Sequence, residues 1–374
     1  MQPETLALHY ANYQDKNAAA VVPPIYLSTT YERDENYELP AGYLYTRAGN
    51  PNRQQLEQAL ATLEGGQEAV AFASGQAATM TFFQCLKPGD HVLLPDDAYY
   101  GTPSLLQDFF VAWGLTFSKV DTTKIEEVEN AIRPETKVIW LETPSNPQLK
   151  VSDLAAITTL AKKYNIITVC DNTWATPLLQ RPLDLGCDVV MHSTTKYLGG
   201  HSDVLGGALI FKSKSELSER ARQLQTLGGA APSPFDCWLV TRGIKTLAVR
   251  MRQQAANAQR LAEFLEGHAA VDKVHYPGLP THAGYEVSQR QMTGGGAMLS
   301  VQVKGGAEEA LHLIKKLQLF TAATSLGGVE SLIEHRASVE GPDTLTPKNL
   351  LRISVGLEHA DDLIDDLTQA LAGL

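Results

Sequence analysis

From about Leu56 onward the chain alternates short apolar runs with helical patterns, and this alternation constrains its fold more tightly than any other feature. The runs fall at residues 69–73, 91–95, 138–142, 166–171, 188–192 and 208–211, with helical patterns at 105–113, 125–132 and 153–164 between them. The last of these helices opens with Ser152-Asp153, a suitable N-terminal cap. Strands alternating with helices predict an α/β fold, a mostly parallel sheet covered on both faces. Sheets of that type take their ligands beyond the carboxyl ends of the strands. Functional residues are therefore expected just after the apolar runs.

At 374 residues the chain exceeds a typical single domain, so two folded units are expected. Residues 1–55 are polar and irregular, yet they carry Tyr26, Tyr31, Tyr37, Tyr43 and Tyr45, too many aromatics for a disordered tail. They read as an arm lying on another surface, that of a neighbouring subunit. Residues 56–245 form the large domain. A helical stretch at 246–265 leads into a small α+β domain over 246–374, with strands at 297–303 and 351–355 and helices at 307–317 and 360–370.

The net charge of −11, with no basic block anywhere, argues against nucleic acid and anionic membranes as partners. The longest charge-free stretch, 69–86, is interrupted by Ser74-Gly75-Gln76 and is unsuited to spanning a membrane. Met1-Gln2-Pro3-Glu4 lacks the basic start and apolar core of a signal peptide. Cys85, Cys170, Cys187 and Cys237 show no CxxC spacing and read as buried thiols of a cytoplasmic protein. No metal is expected.

Four residues follow or end these runs. Gly75, ahead of a helical run, aims free backbone N–H groups at a phosphate. Tyr99 can stack on a planar ring. Asp171 closes a mostly apolar run, where a carboxylate needs a partner; a protonated pyridine nitrogen is one. Lys196 sits between small hydroxyl residues and Gly199-Gly200, where burial lowers its pKa and makes it a nucleophile. Ser193 and Thr195 add hydroxyls for an anion. The set suits a phosphorylated aromatic ring bearing an aldehyde. Taken singly, each residue has a plainer reading: a turn glycine, a packed tyrosine, a helix-capping aspartate and a surface lysine.

In this order along the chain, the residues resemble the Cys/Met-metabolism family of pyridoxal-phosphate enzymes. That family includes cystathionine γ-synthase, cystathionine β- and γ-lyases and methionine γ-lyase. The similarity covers nearly the whole chain. Its most specific segments are Ser193-Thr194-Thr195-Lys196-Tyr197-Leu198-Gly199-Gly200-His201-Ser202-Asp203, Tyr45-Thr46-Arg47-Ala48-Gly49-Asn50-Pro51, Ser325-Leu326-Gly327-Gly328-Val329-Glu330-Ser331 and Leu351-Arg352-Ile353-Ser354-Val355-Gly356-Leu357-Glu358.

The resemblance implies a fold of the aspartate aminotransferase type and pyridoxal 5′-phosphate as cofactor. It implies that Lys196 holds the cofactor covalently and then moves protons between Cα and Cβ of an amino-acid substrate. Gly75, Gln76, Ser193 and Thr195 would bind the phosphate, completed by Tyr45 and Arg47 from the neighbouring subunit. Tyr99 would stack on the ring and help deprotonate the incoming amine, and Asp171 would pair with the ring nitrogen. Arg352 would clamp the substrate's α-carboxylate, with Asn146 and Ser325 nearby and Glu330 also on the substrate. Read from spacing alone, Arg352 is equally a surface residue at a strand edge, and Asn146 an ordinary turn residue. A homotetramer built from active dimers is implied too.

Within the family the signals divide. Glu330 favours γ-chemistry, whereas Leu44 replaces the acidic residue that many γ-synthases and γ-lyases place before the equivalent of Tyr45. Gly101 replaces the cysteine of methionine γ-lyases, and Ala337-Ser338-Val339-Glu340-Gly341 departs from the usual Met-Thr-His continuation of the substrate-access loop. The leading expectation is a cystathionine β- or γ-lyase of transsulfuration, in methionine and cysteine metabolism. The alternative is cystathionine γ-synthase, which joins O-acyl-homoserine and cysteine. An aminotransferase and a non-catalytic homologue are further alternatives; intact Lys196, Asp171 and Arg352 count against the second.

Overall fold

The computed structural model describes residues 1–9, 18–340, 344 and 346–373. Residues 10–17 of the arm and Gly341 of the access loop thus lie outside the described residues. The apolar runs become strands β1 (Glu68–Phe72), β2 (His91–Pro95), β4 (Thr136–Glu142), β5 (Ile167–Asp171), β6 (Val189–His192) and β7 (Gly207–Phe211), and β3 (Thr116–Val120) joins them. They form one seven-stranded sheet in the order β1-β7-β6-β5-β4-β2-β3. Only β7 runs against its neighbours.

Side-chain alternation explains why both faces are covered. Ala69 and Ala71 join Ala208 and Ile210 in one core, while Val70 and Phe72 join Leu209 and Phe211 in another. β3 escaped the sequence reading because it lies at the sheet edge, and Thr116-Phe117-Ser118-Lys119-Val120 has only one fully buried residue. The helical pattern at 105–113 begins earlier, at Gly101, and contains a π-helical turn at Leu106–Phe110. Asp153 caps the helix Leu154–Lys163, its carboxylate accepting the N–H of Ala156 at 3.0 Å.

The helix Leu247–Glu266 belongs to two cores: Leu247 and Met251 pack with the large sheet, Ala258, Leu261 and Leu265 with a second one. That second core covers the sheet of β8 (Val271–His275), β9 (Met298–Val303), β10 (Thr321–Ala322), β11 (Leu332–His335) and β12 (Leu350–Ser354). Its order is β10-β11-β12-β9-β8, and the β11–β12 register sets Glu334 opposite Arg352. A small sheet domain therefore stands against the ligand-binding edge of the large one.

The described part of the arm is tied to its own chain. Trp238 Nε1 donates to Pro23 O at 3.0 Å, and Asn52 Nδ2 to Pro24 O at 2.9 Å. Among the described residues no helix is long and apolar enough to cross a membrane.

Candidate active site

The carboxyl ends of β1, β2, β4, β5 and β6 converge on a cavity of about 290 Å³, walled on its far side by residues of β11 and β12. Ser74 caps the helix Gly75–Gln84, its hydroxyl accepting the N–H of Ala77 at 3.0 Å. This helix start lies close to the β6–β7 connection. A Cβ on Gly75 would sit 3.0 Å from Ser193 Cβ, and one on Gly207 would overlap the Ser74 carbonyl. Only glycine permits that approach. Thr195 Oγ1 is fixed by the backbone of Gly206, accepting its N–H at 3.0 Å. Free N–H groups and two hydroxyls thus face one spot.

Next to this cradle, β4 and β5 end side by side with Glu142 and Asp171 as register partners. Burial, and then the charge of Asp171, holds the Glu142 carboxyl well above the usual range. Burial also raises Asp171, although Thr173 and the positive side of His192 and Lys196 pull it down. Asp171 Oδ1 accepts the N–H of Thr173 at 3.0 Å and the residue lines the cavity, whereas the next helix, Thr176–Leu179, has Ala175 at its N-cap, so Asp171 does not cap it. Glu142 Oε2 accepts the N–H of Tyr99 at 2.7 Å and fixes that loop.

Lys196 Nζ donates to Ser325 Oγ at 2.8 Å. Burial, followed by the charge of Arg352, lowers its pKa to about 8, against the opposing pull of Glu334 and Asp171. Ser325 has φ +83°, a left-handed conformation costing about 1–3 kcal/mol for a residue with a side chain. The fold holds that strain, and the serine hydroxyl meets the lysine. Arg352 is 4 % exposed; it donates to Asn146 Oδ1 at 3.1 Å, to Ser325 O at 3.1 Å and to Glu334. Burial lowers Arg352 to about 10, so it remains cationic at neutral pH.

In the cofactor-free protein, labelling of Lys196 by an amine-directed reagent is expected to reach half its limiting rate near pH 8. An exposed lysine reaches that point near pH 10. Peptide mapping across a pH series measures this, and a midpoint near 10 for Lys196 would contradict the burial argument.

A profile of the family described as Cys/Met metabolism PLP-dependent enzyme matches residues 4–372. The chain belongs to this family. A cystathionine gamma-synthase of Mycobacterium tuberculosis is 47% identical, covering 99% of this chain and 96% of the relative. A cystathionine beta-lyase of Coxiella burnetii is 45% identical, covering 98% and 97%. The crystal structure of a cystathionine gamma-lyase from Lactobacillus plantarum, complexed with L-serine, superposes with a TM-score of 0.95 at 40% identity, covering 100% and 99%.

Pyridoxal phosphate, the family's cofactor, fits the residues present. The glycine-lined helix start suits a phosphate, the buried carboxyl of Asp171 suits a protonated ring nitrogen, and the depressed pKa of Lys196 suits attack on an aldehyde.

Of the residues singled out from sequence, Gly75, Gln76, Tyr99, Asn146, Asp171, Ser193, Thr195, Lys196, Ser325 and Arg352 all line the cavity. Tyr45, Arg47 and Glu330 do not. Arg47 donates to Thr226 O at 2.6 Å, and the Tyr45 ring is exposed. Glu330 accepts the hydroxyl of Ser202, because Gly327, at φ +82°, turns the chain between Ser325 and Glu330. Thr324 and Leu326 flank Ser325 in the cavity wall. Sequence reasoning missed Glu142, Glu334 and Arg336. Glu142 had the same signal as Asp171, an acid closing an apolar run; Glu334 and Arg336 follow apolar Leu332-Ile333.

Proposed function

We propose that this protein cleaves the C–S bond of cystathionine-type sulfur amino acids, releasing ammonia, a keto acid and a thiol. One observation carries the reading: a lysine amine of depressed pKa, held by Ser325, stands beside a buried guanidinium, Arg352, whose charge suits a carboxylate. The lyase relatives of Coxiella burnetii and Lactobacillus plantarum support it. The Mycobacterium tuberculosis relative favours a second reading, γ-synthase, in which the same linkage is made.

Gly75, Gln76, Ser193 and Thr195 would hold the cofactor's phosphate, Asp171 its ring nitrogen, and Lys196 its aldehyde carbon. When bound, pyridoxal phosphate supplies an electron sink that accepts the pair left at Cα after proton removal. Arg352 holds the substrate carboxylate through a planar fork, steadied by Asn146. Lys196, near its own pKa at neutral pH, takes the Cα proton and returns one later. Ser325 directs the lysine lone pair. The Tyr99 phenol, pushed by burial up to about 12, is protonated in the cofactor-free protein and offers a stacking face and a hydrogen-bond donor.

Tyr45 and Arg47, outside the cavity of their own chain, are read as completing the phosphate site of a neighbouring subunit. That gives active dimers, paired into a homotetramer, in the cytoplasm. The deciding assay supplies cystathionine and measures pyruvate against 2-oxobutanoate, then supplies O-acyl-homoserine with cysteine and measures cystathionine. Pyruvate or 2-oxobutanoate is expected; vigorous synthesis with negligible lysis overturns the lyase reading in favour of the synthase.

A further inference from the structure

Among the described residues, three cationic side chains line the cavity: Lys196, Arg352 and Arg336. The first carries out proton transfer and the second takes the α-carboxylate, which leaves Arg336 without a part in the reaction. It is only 3 % exposed, and a buried guanidinium requires partners. Glu340 Oε1 accepts its Nε at 3.1 Å and its Nη2 at 2.7 Å, and Glu334 accepts its Nη1 at 3.2 Å. Glu340 is itself anchored, its other oxygen accepting the hydroxyls of Thr344 and Thr346, each at 2.6 Å.

These bonds occupy three of the five N–H groups of the fork. Among the described residues, one N–H on each terminal nitrogen has no hydrogen-bond partner, and a carboxylate can take such a pair together. The guanidinium carbon lies 5.7 Å from the centre of the Tyr100 ring. Beside it opens a second recess of about 530 Å³; Tyr100 and Asn146 line both spaces, and Glu340 lines the second. Arg336 and Arg352 line the same cavity and share Glu334 Oε2, so a substrate anchored on Arg352 lies within reach of Arg336.

We propose that Arg336 is a specificity-determining residue that binds a second carboxylate, at the end of the substrate beyond the bond that breaks, and that Glu340 is its positioning residue. The inference rests on the reading above only in placing the α-carboxylate on Arg352. It selects amino acids with a distal carboxylate, such as cystathionine or a homoserine ester of a dicarboxylic acid. S-alkylcysteines and O-acetyl-homoserine lack that group.

The test compares cystathionine with S-ethylcysteine on the holoenzyme and its Arg336→Gln, Arg336→Lys and Glu340→Gln variants. Losing charge-assisted hydrogen bonds to the distal carboxylate is expected to raise KM for cystathionine about 10- to 100-fold in Arg336→Gln, with kcat nearly unchanged. Glu340→Gln shifts KM less, in the same direction, and in every variant cystathionine loses at least tenfold more than S-ethylcysteine. If Arg336→Gln fails to fold, Arg336→Lys keeps the charge and carries the comparison. Equal losses on both substrates would show that Arg336 acts only through Glu334 on Arg352, and no loss on either would show no role; both overturn the proposal. If the wild-type enzyme leaves cystathionine intact, the lyase reading fails by itself. The Arg336 variants are then read on O-succinyl- against O-acetyl-homoserine in the synthesis assay.

Discussion

Lys196→Ala is expected to reduce turnover by about 10⁴-fold or more and to abolish the yellow colour of the holoenzyme with it. The magnitude follows from the number of tasks converging on one nitrogen. Nζ binds the cofactor, takes the Cα proton and returns it, and a positioned general base alone contributes about 10²–10⁴-fold. Among the described residues, the other cationic or phenolic groups of the cavity do not replace it: Tyr99 stays protonated, and Arg336 and Arg352 hold their protons. Borohydride reduction of the wild type should fix the chromophore on the peptide containing Lys196, and on no peptide of the variant. Retention of normal turnover would sink the assignment.

The same substitution has a stability signature of opposite sign. Lowering the folded-state pKa of Lys196 from 10.5 to about 8 means that the cofactor-free fold disfavours the ammonium. A shift of that size corresponds to roughly 3 kcal/mol, before relaxation and solvent screening reduce it. This penalty is present below pH 8 and fades as pH rises from 8 to 10.5, because there the unfolded chain binds more protons. Cofactor-free Lys196→Ala should therefore melt no lower than cofactor-free wild type at pH 7, and the advantage should shrink towards pH 10. Loss of activity with loss of fold would show a different pattern.

How far the sequence revealed this site depended on which part of the strand each residue occupies. Residues at the carboxyl ends of apolar strands were legible, since β4, β5 and β6 announce themselves by hydrophobicity and their last residues must face the ligand edge. Asp171 ends β5 and Lys196 lies in the loop just after β6, and Glu142 could have been found by the same argument. Arg352 was legible only through resemblance, because alternation with Leu351 and Ile353 fits an exposed strand edge as well as a buried clamp. Its buried charge is compensated by Glu334, set opposite by antiparallel register, and register between strands distant in sequence leaves no local trace. Glu330 is a different case: Gly327, at φ +82°, turns the chain after Ser325, and the Glu330 carboxylate accepts the hydroxyl of Ser202, a pairing that the sequence alone does not announce.

Asp171→Asn separates electrostatics from architecture at the other pole of the site. The substitution is nearly isosteric, and an amide oxygen can still accept the Thr173 N–H, so the end of β5 keeps its form. What disappears is the negative charge facing a protonated ring nitrogen, and with it the stabilisation of that proton. Loss of one such preorganised interaction is expected to lower kcat by about 10²- to 10³-fold. Two titrations should move as well. Asp171 is among the groups that raise Lys196, so without it the labelling midpoint of the cofactor-free lysine falls further below 8. The charge of Asp171 also raises Glu142, so that carboxyl moves back towards its ordinary range. The lysine thus becomes easier to label at neutral pH while the enzyme becomes much slower, a combination that general damage to the site does not produce. A variant within tenfold of wild-type turnover, or one whose lysine midpoint rises, would show that Asp171 serves only to hold the Thr173 N–H.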